Sequence, residues 1–158
     1  MKLNNKGFTL VEVLAAVVIL SILIAIMVPS VNNMLNKNKE DNYNNLKNGI
    51  INAAKVYMSD NRYDIEIEGG CNSSNEEKEV KSIGDNSLIG SKLPIKWLVD
   101  SNDLSTDADG KISNPKDDRN LNLVSSYVLV KYQCSTKDYT YTIVEDSADV
   151  SNNSLQWE

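Results

Sequence analysis

Residues 8–28, FTLVEVLAAVVILSILIAIMV, form an apolar run carrying a single charge, and this run limits what the chain can fold into. As a helix it would be roughly 31 Å long at 1.5 Å per residue, enough to cross the hydrocarbon of a bilayer with little tilt. The one charge, Glu12, lies inside that run. A carboxylate near a helix end in hydrocarbon costs about 2–3 kcal/mol on insertion scales, so it calls for a partner or a purpose. Lys2 and Lys6 precede the run with no acid among them, whereas Lys37 and Lys39 beyond it are followed at once by Glu40 and Asp41. That bias puts the N-terminus in the cytoplasm and residues 30–158 outside, a single-pass arrangement in the cell membrane.

A secretory signal peptide is one reading, since Val28-Pro29-Ser30 loosely satisfies a cleavage site. The run, however, exceeds the roughly 7–15 apolar residues of such a signal, and a glutamate sits within it. An uncleaved anchor accommodates the length but gives Glu12 no task. The stretch Lys6-Gly7-Phe8-Thr9-Leu10-Val11-Glu12, with Pro29 behind it, resembles the prepilin N-terminus of the type IV filament family. That family comprises type IV pilins and the pseudopilins of type II secretion and competence systems.

The resemblance implies that residues 1–7 are a leader removed by a membrane peptidase, which cuts between Gly7 and Phe8 and methylates the new amine on Phe8. It also implies that Glu12 pairs with the amino terminus of a neighbouring subunit. The partners it implies are other pilin subunits in a homo- or heteropolymer, the prepilin peptidase, the pilus assembly platform, and membrane lipid before assembly. Physical chemistry supports the pairing. A carboxylate and an ammonium buried together stabilise each other, whereas either alone is heavily penalised. Subunits in the wrong axial register would strand both charges. One departure is Ser21, where many members of the family carry a glycine associated with local unwinding of the helix; serine is less permissive and can hydrogen-bond back to the helix carbonyls.

Pro29 lacks an N–H and crowds the carbonyl of Ala25, which predicts a kink. Residues 29–60 then read as an amphipathic helix, with Tyr43, Leu46, Ile50, Ala53 and Tyr57 at spacings of three and four. Residues 61–158 suffice for one small domain. Alternation over residues 62–68 predicts a strand, and the polar stretch 71–87 reads as a surface loop. Residues 93–104 read as a short helix starting at or after Pro94, and 105–120 as a turn-rich excursion. Residues 126–134 and 138–145, both β-branched and aromatic with period two, predict an antiparallel hairpin. Residues 155–157 supply a final edge strand. The fold class is therefore α+β: a long N-terminal helix, its first half transmembrane, packed on a small C-terminal antiparallel sheet, as in pilins.

Cys71 and Cys134 are the only cysteines. An even pair on the outer side favours a disulfide, which would stabilise by about 4 kcal/mol on the chain-entropy model; two free buried thiols are the alternative. Their spacing matches no zinc pattern and the chain has no histidine, so no metal site is expected. Residues 105–116 approximate a calcium loop around Asp107, Asp109 and Gly110, but Lys116 stands where a bidentate glutamate is needed, and an Asp-Gly turn accounts better for them. A net charge of −6 repels nucleic acid, so none is expected as a partner. With no histidine, no nucleophile motif and no glycine-rich phosphate loop, no catalytic residue and no cofactor are expected. The reading that follows is a structural pilus subunit serving adhesion, surface motility or aggregation, membrane-bound before assembly and extracellular after it. The alternative is a pseudopilin of a type II secretion or DNA-uptake system.

Overall fold

A computed structural model of the chain describes residues 9–73, 76–145 and 153–158. Helix α1 runs Leu10–Asp60 and passes through Pro29 without a break in its helical assignment. The expected leader and the Gly7–Phe8 junction lie outside the described residues. By contacts the chain divides into two compact units, residues 1–41 and 42–158.

In the first unit every described residue is exposed, including Leu10 at 84% and Ile26 at 67%. An apolar helix so bare in water would be unstable, and the same composition suits hydrocarbon or the interior of a bundle.

The second unit is built on residues 42–60 of α1. Ile50, Ala53, Ala54 and Met58 are buried there, with Leu46 and Tyr57 packed at the margin of the same core. Opposite them stands an antiparallel sheet of β1 (Ile65–Ile67), β2 (Glu77–Ile83), β3 (Asn86–Ser87), β4 (Lys92–Pro94), β5 (Tyr127–Gln133) and β6 (Asp138–Thr142). β5 is central. One edge pairs with β6, from Leu129↔Thr142 to Gln133↔Asp138. The other edge pairs with β4 through Leu129↔Lys92 and, further along, with β2 through Gln133↔Glu77. Val128 and Val130 point inward and are fully buried, as alternation in β5 requires.

The surface loop expected over residues 71–87 is corrected by the structure, because β2 and β3 both lie within it. Its polar composition hid a strand, and its phase hid it further. Glu66 lies opposite Ser82 and Ile67 opposite Val80, so Lys81 is an extra residue. That bulge brings Val80 and Ile83, three apart and so on opposite faces of a regular strand, both into the core at 1% exposure. The expected edge strand at 155–157 is also corrected. Trp157 forms an isolated bridge to Leu121, flanked by mutual hydrogen bonds of Asn120 and Glu158, and stays off the six-stranded sheet.

Helix α2 (Ile95–Asp100) starts directly behind Pro94 and buries Ile95 and Leu98. No side chain caps it; the N–H groups of Ile95 and Lys96 instead donate to the carbonyls of Ser126 and Leu123, each at 3.0 Å. These bonds satisfy two donors that a helix start leaves without an intrahelical acceptor.

Candidate functional site

Glu12 sits at the third position of α1, and Thr9 stands immediately before the helix. The Thr9 backbone N–H and hydroxyl both donate to Glu12 Oε2, at 2.8 and 2.9 Å. The Glu12 N–H in turn reaches the Thr9 hydroxyl oxygen at 3.3 Å. This is a capping box, in which the cap residue and the acid three places on satisfy each other. The signal was present in the sequence as Thr9-x-x-Glu12, and Thr9 is the residue that sequence reasoning passed over. Among the described residues, Glu12 Oε1 accepts no hydrogen bond. The carboxylate is therefore held in direction through Oε2.

About two and a half turns beyond, the Ser21 hydroxyl donates to the Val17 carbonyl at 2.7 Å. The polar atom is thus satisfied inside its own helix, and an apolar surroundings costs it little. Pro29 marks the far end of the apolar run. Leu10, Val13, Leu14, Val17 and Val18 line one continuous apolar flank of the same helix, exposed alongside Glu12.

In the second unit, Cys71 and Cys134 are joined by a disulfide with their Cα atoms 5.8 Å apart. It ties the segment after β1 to the end of β5, beside the hydrogen bond from the Cys134 N–H to the Glu76 carbonyl. A second tie gathers segments distant in sequence around Tyr43. Its hydroxyl donates to Glu145, to which the Lys47 ammonium also donates at 2.9 Å. The Lys116 ammonium lies 4.2 Å from the Tyr43 ring centroid and the Trp157 ring 6.1 Å from it. Cation–π and aromatic contacts of this kind add modest stability at partly exposed sites.

The Asp107 loop is an Asx-type turn. Asp107 Oδ1 accepts from the backbone N–H groups of Asp109 and Lys111 at 3.0 and 2.7 Å, and Gly110 takes a positive φ of 74°. Among the described residues, no three His, Cys, Asp or Glu side chains gather where they could hold a metal ion.

No curated protein and no solved structure matches the chain. Residues 2–28 match the family model of the prokaryotic N-terminal methylation motif, so the chain carries the type IV prepilin signature at the head of its apolar helix.

Proposed function

We propose that this protein is a structural subunit of a type IV pilus. In this reading residues 1–7 are removed after Gly7, the amine of Phe8 is methylated, residues 8–28 hold the subunit in the membrane and then pack in the filament core, and residues 61–158 are displayed outside on the amphipathic helix 29–60. Assembly brings the Phe8 amine of a neighbour to Glu12. The observation that carries this reading is the match of residues 2–28 to the prokaryotic N-terminal methylation motif, with Glu12 standing inside it. Thr9 occupies Oε2, and Oε1 accepts nothing among the described residues. An ammonium arriving there completes a charge-assisted bond in a low-dielectric setting, where either group alone is strongly disfavoured. The chemistry asked of the chain is cohesion, with no turnover, and the platform and peptidase that process the family act on it from outside.

N-terminal mass spectrometry of material sheared from cells tests the proposal. The expected species begins at N-methylated Phe8. A chain still beginning at Met1, in cells that express prepilin peptidase, would overturn it. A companion experiment isolates the pairing: Glu12→Ala is expected to be processed yet scarce in sheared filaments, and wild-type abundance of that variant would remove the role given to Glu12. The same motif serves pseudopilins, so recovery of long surface filaments containing the chain, against retention in short periplasmic or envelope-bound ones, separates the two uses.

A further inference from the structure

Between the end of α1 and β6 lies an open groove of about 480 Å³, lined by Lys55, Ser59, Arg62, Asp138, Tyr139 and Tyr141 over the buried Met58. Among the described residues Lys47, Lys78, Lys96, Arg119 and Lys131 form ion pairs with carboxylates. Lys55 and Arg62 form no ion pair among the described residues. Lys55 instead lies 5.9 Å from the Tyr141 ring centroid, and Arg62 lies 4.6 Å from that of Tyr63, whose hydroxyl it reaches at 2.5 Å. Both cations are exposed, while the two groove tyrosines are half-buried against the helix.

We propose that this groove binds an acid-bearing saccharide, its carboxylates met by Lys55 and Arg62 and its hydroxyls by Ser59, Asp138 and the two tyrosines. The lining favours this class over other anions. Its neutral polar groups are hydroxyls, which both donate and accept and so match a sugar. Burial raises the pKa of Tyr139 and of Tyr141, that of Tyr141 to about 12, so both remain donors at neutral pH. A nucleic acid presents a dense row of phosphates, and two cations on a protein of net charge −6 give it little hold. An acidic peptide would need apolar pockets to anchor its side chains, and Met58, beneath the groove, is 1% exposed. A single shallow site of this kind binds weakly. Repetition along a filament would multiply the affinity without new contacts, and that amplification alone rests on the filament reading.

The test uses the processed full chain in detergent micelles, titrated by NMR with oligogalacturonate, a neutral malto-oligosaccharide of equal length, hexaglutamate and a single-stranded oligonucleotide. The expected result is saturable binding of oligogalacturonate alone, with shifts confined to the groove. Lys55→Gln with Arg62→Gln should weaken it by about ten-fold or more, because two charge-assisted contacts are lost. Lys96→Gln, which removes an ion pair on α2, should leave it unchanged. Because the assay is monovalent, it stands or falls independently of filament assembly. The proposal is overturned if oligogalacturonate does not bind, if the neutral sugar binds as well, if the peptide or oligonucleotide binds better, or if the double variant binds like the wild type.

Discussion

The Tyr43 hydroxyl donates to Glu145 Oε1 at 2.6 Å, joining residues 102 apart in sequence. Together with Lys47 on the other carboxylate oxygen, it pins the chain beyond β6 to the helix. Burial by itself pushes the Glu145 carboxyl up. The bonds from Tyr43 and Lys47, with the positive charges of Lys47 and Lys116, outweigh burial and hold it below the ordinary value of 4.5. A carboxyl held lower in the folded state than in the unfolded one adds stability that is present above the unfolded value and lost as pH falls through the folded one. Wild type should therefore lose melting temperature as the pH drops below 4.5, and Glu145→Gln should lose less over the same interval. Parallel slopes for the two proteins in a pH series of thermal melts would remove this contribution.

Tyr141 works in the opposite direction. Burial, aided by the negative charge of Asp138, raises its phenol from 10.0 to about 12. The stabilising neutral form is matched in both states below 10.0, and folding loses ground as the pH climbs from there towards 12. Ultraviolet titration at the phenolate band should show Tyr141 ionising last, at about 12, after the also raised Tyr57 and Tyr139, and Tyr141→Phe should abolish that final step. Its persistence in the variant would assign the step elsewhere.

Ser91 holds two strands together from a strained position. It is 1% exposed with φ at 59°; its hydroxyl accepts the Val80 N–H at 2.9 Å and its carbonyl accepts the Val130 N–H at 2.9 Å. Ser91→Ala leaves a buried donor unsatisfied and keeps the unfavourable backbone, which should cost about 2–3 kcal/mol. Ser91→Gly loses the same bond but relieves the left-handed conformation, so it should cost about 1 kcal/mol less than alanine. Denaturant unfolding of the two variants reads this order directly, and alanine equal to glycine would show the backbone to be unstrained.

Thr9 aims Glu12 through Oε2. Thr9→Val keeps the shape but removes the hydroxyl contribution, so helix capping weakens by about 1 kcal/mol. On the proposed assembly chemistry, its abundance in sheared filaments should fall between wild type and Glu12→Ala, while Thr9→Ser stays near wild type. No loss in Thr9→Val, or an equal loss in Thr9→Ser, would show that the Thr9 hydroxyl does not guide the carboxylate.

The comparison of sequence with structure turns on particular residues. The hairpin of β5 and β6 was legible because Val128, Val130, Tyr139 and Tyr141 alternate cleanly with polar neighbours and a short turn separates them. The helix face was legible for the same reason at a different period, although Ala54 and Met58 widen the buried stripe beyond the residues that spacing picked out. β2 was not. Four of its seven residues are charged, and the bulge at Lys81 breaks the alternation that would have revealed Val80 and Ile83. Residues 155–157 form no edge strand, and the bridge partner of Trp157, Leu121, lies in a stretch with no periodic signal of its own. At the N-terminus the motif was plain, but the hydrogen bonds that orient Glu12 depend on where the helix starts, and composition alone does not fix that.

The disulfide has a consequence for timing. Cys71 waits 63 residues for Cys134, and a chain made from its N-terminus cannot close that bond until most of its length exists. By then β1 to β4 are complete and β5 has just followed. Covalent closure is thus a late event that seals a nearly finished sheet, with only β6 still to be added along the free edge of β5.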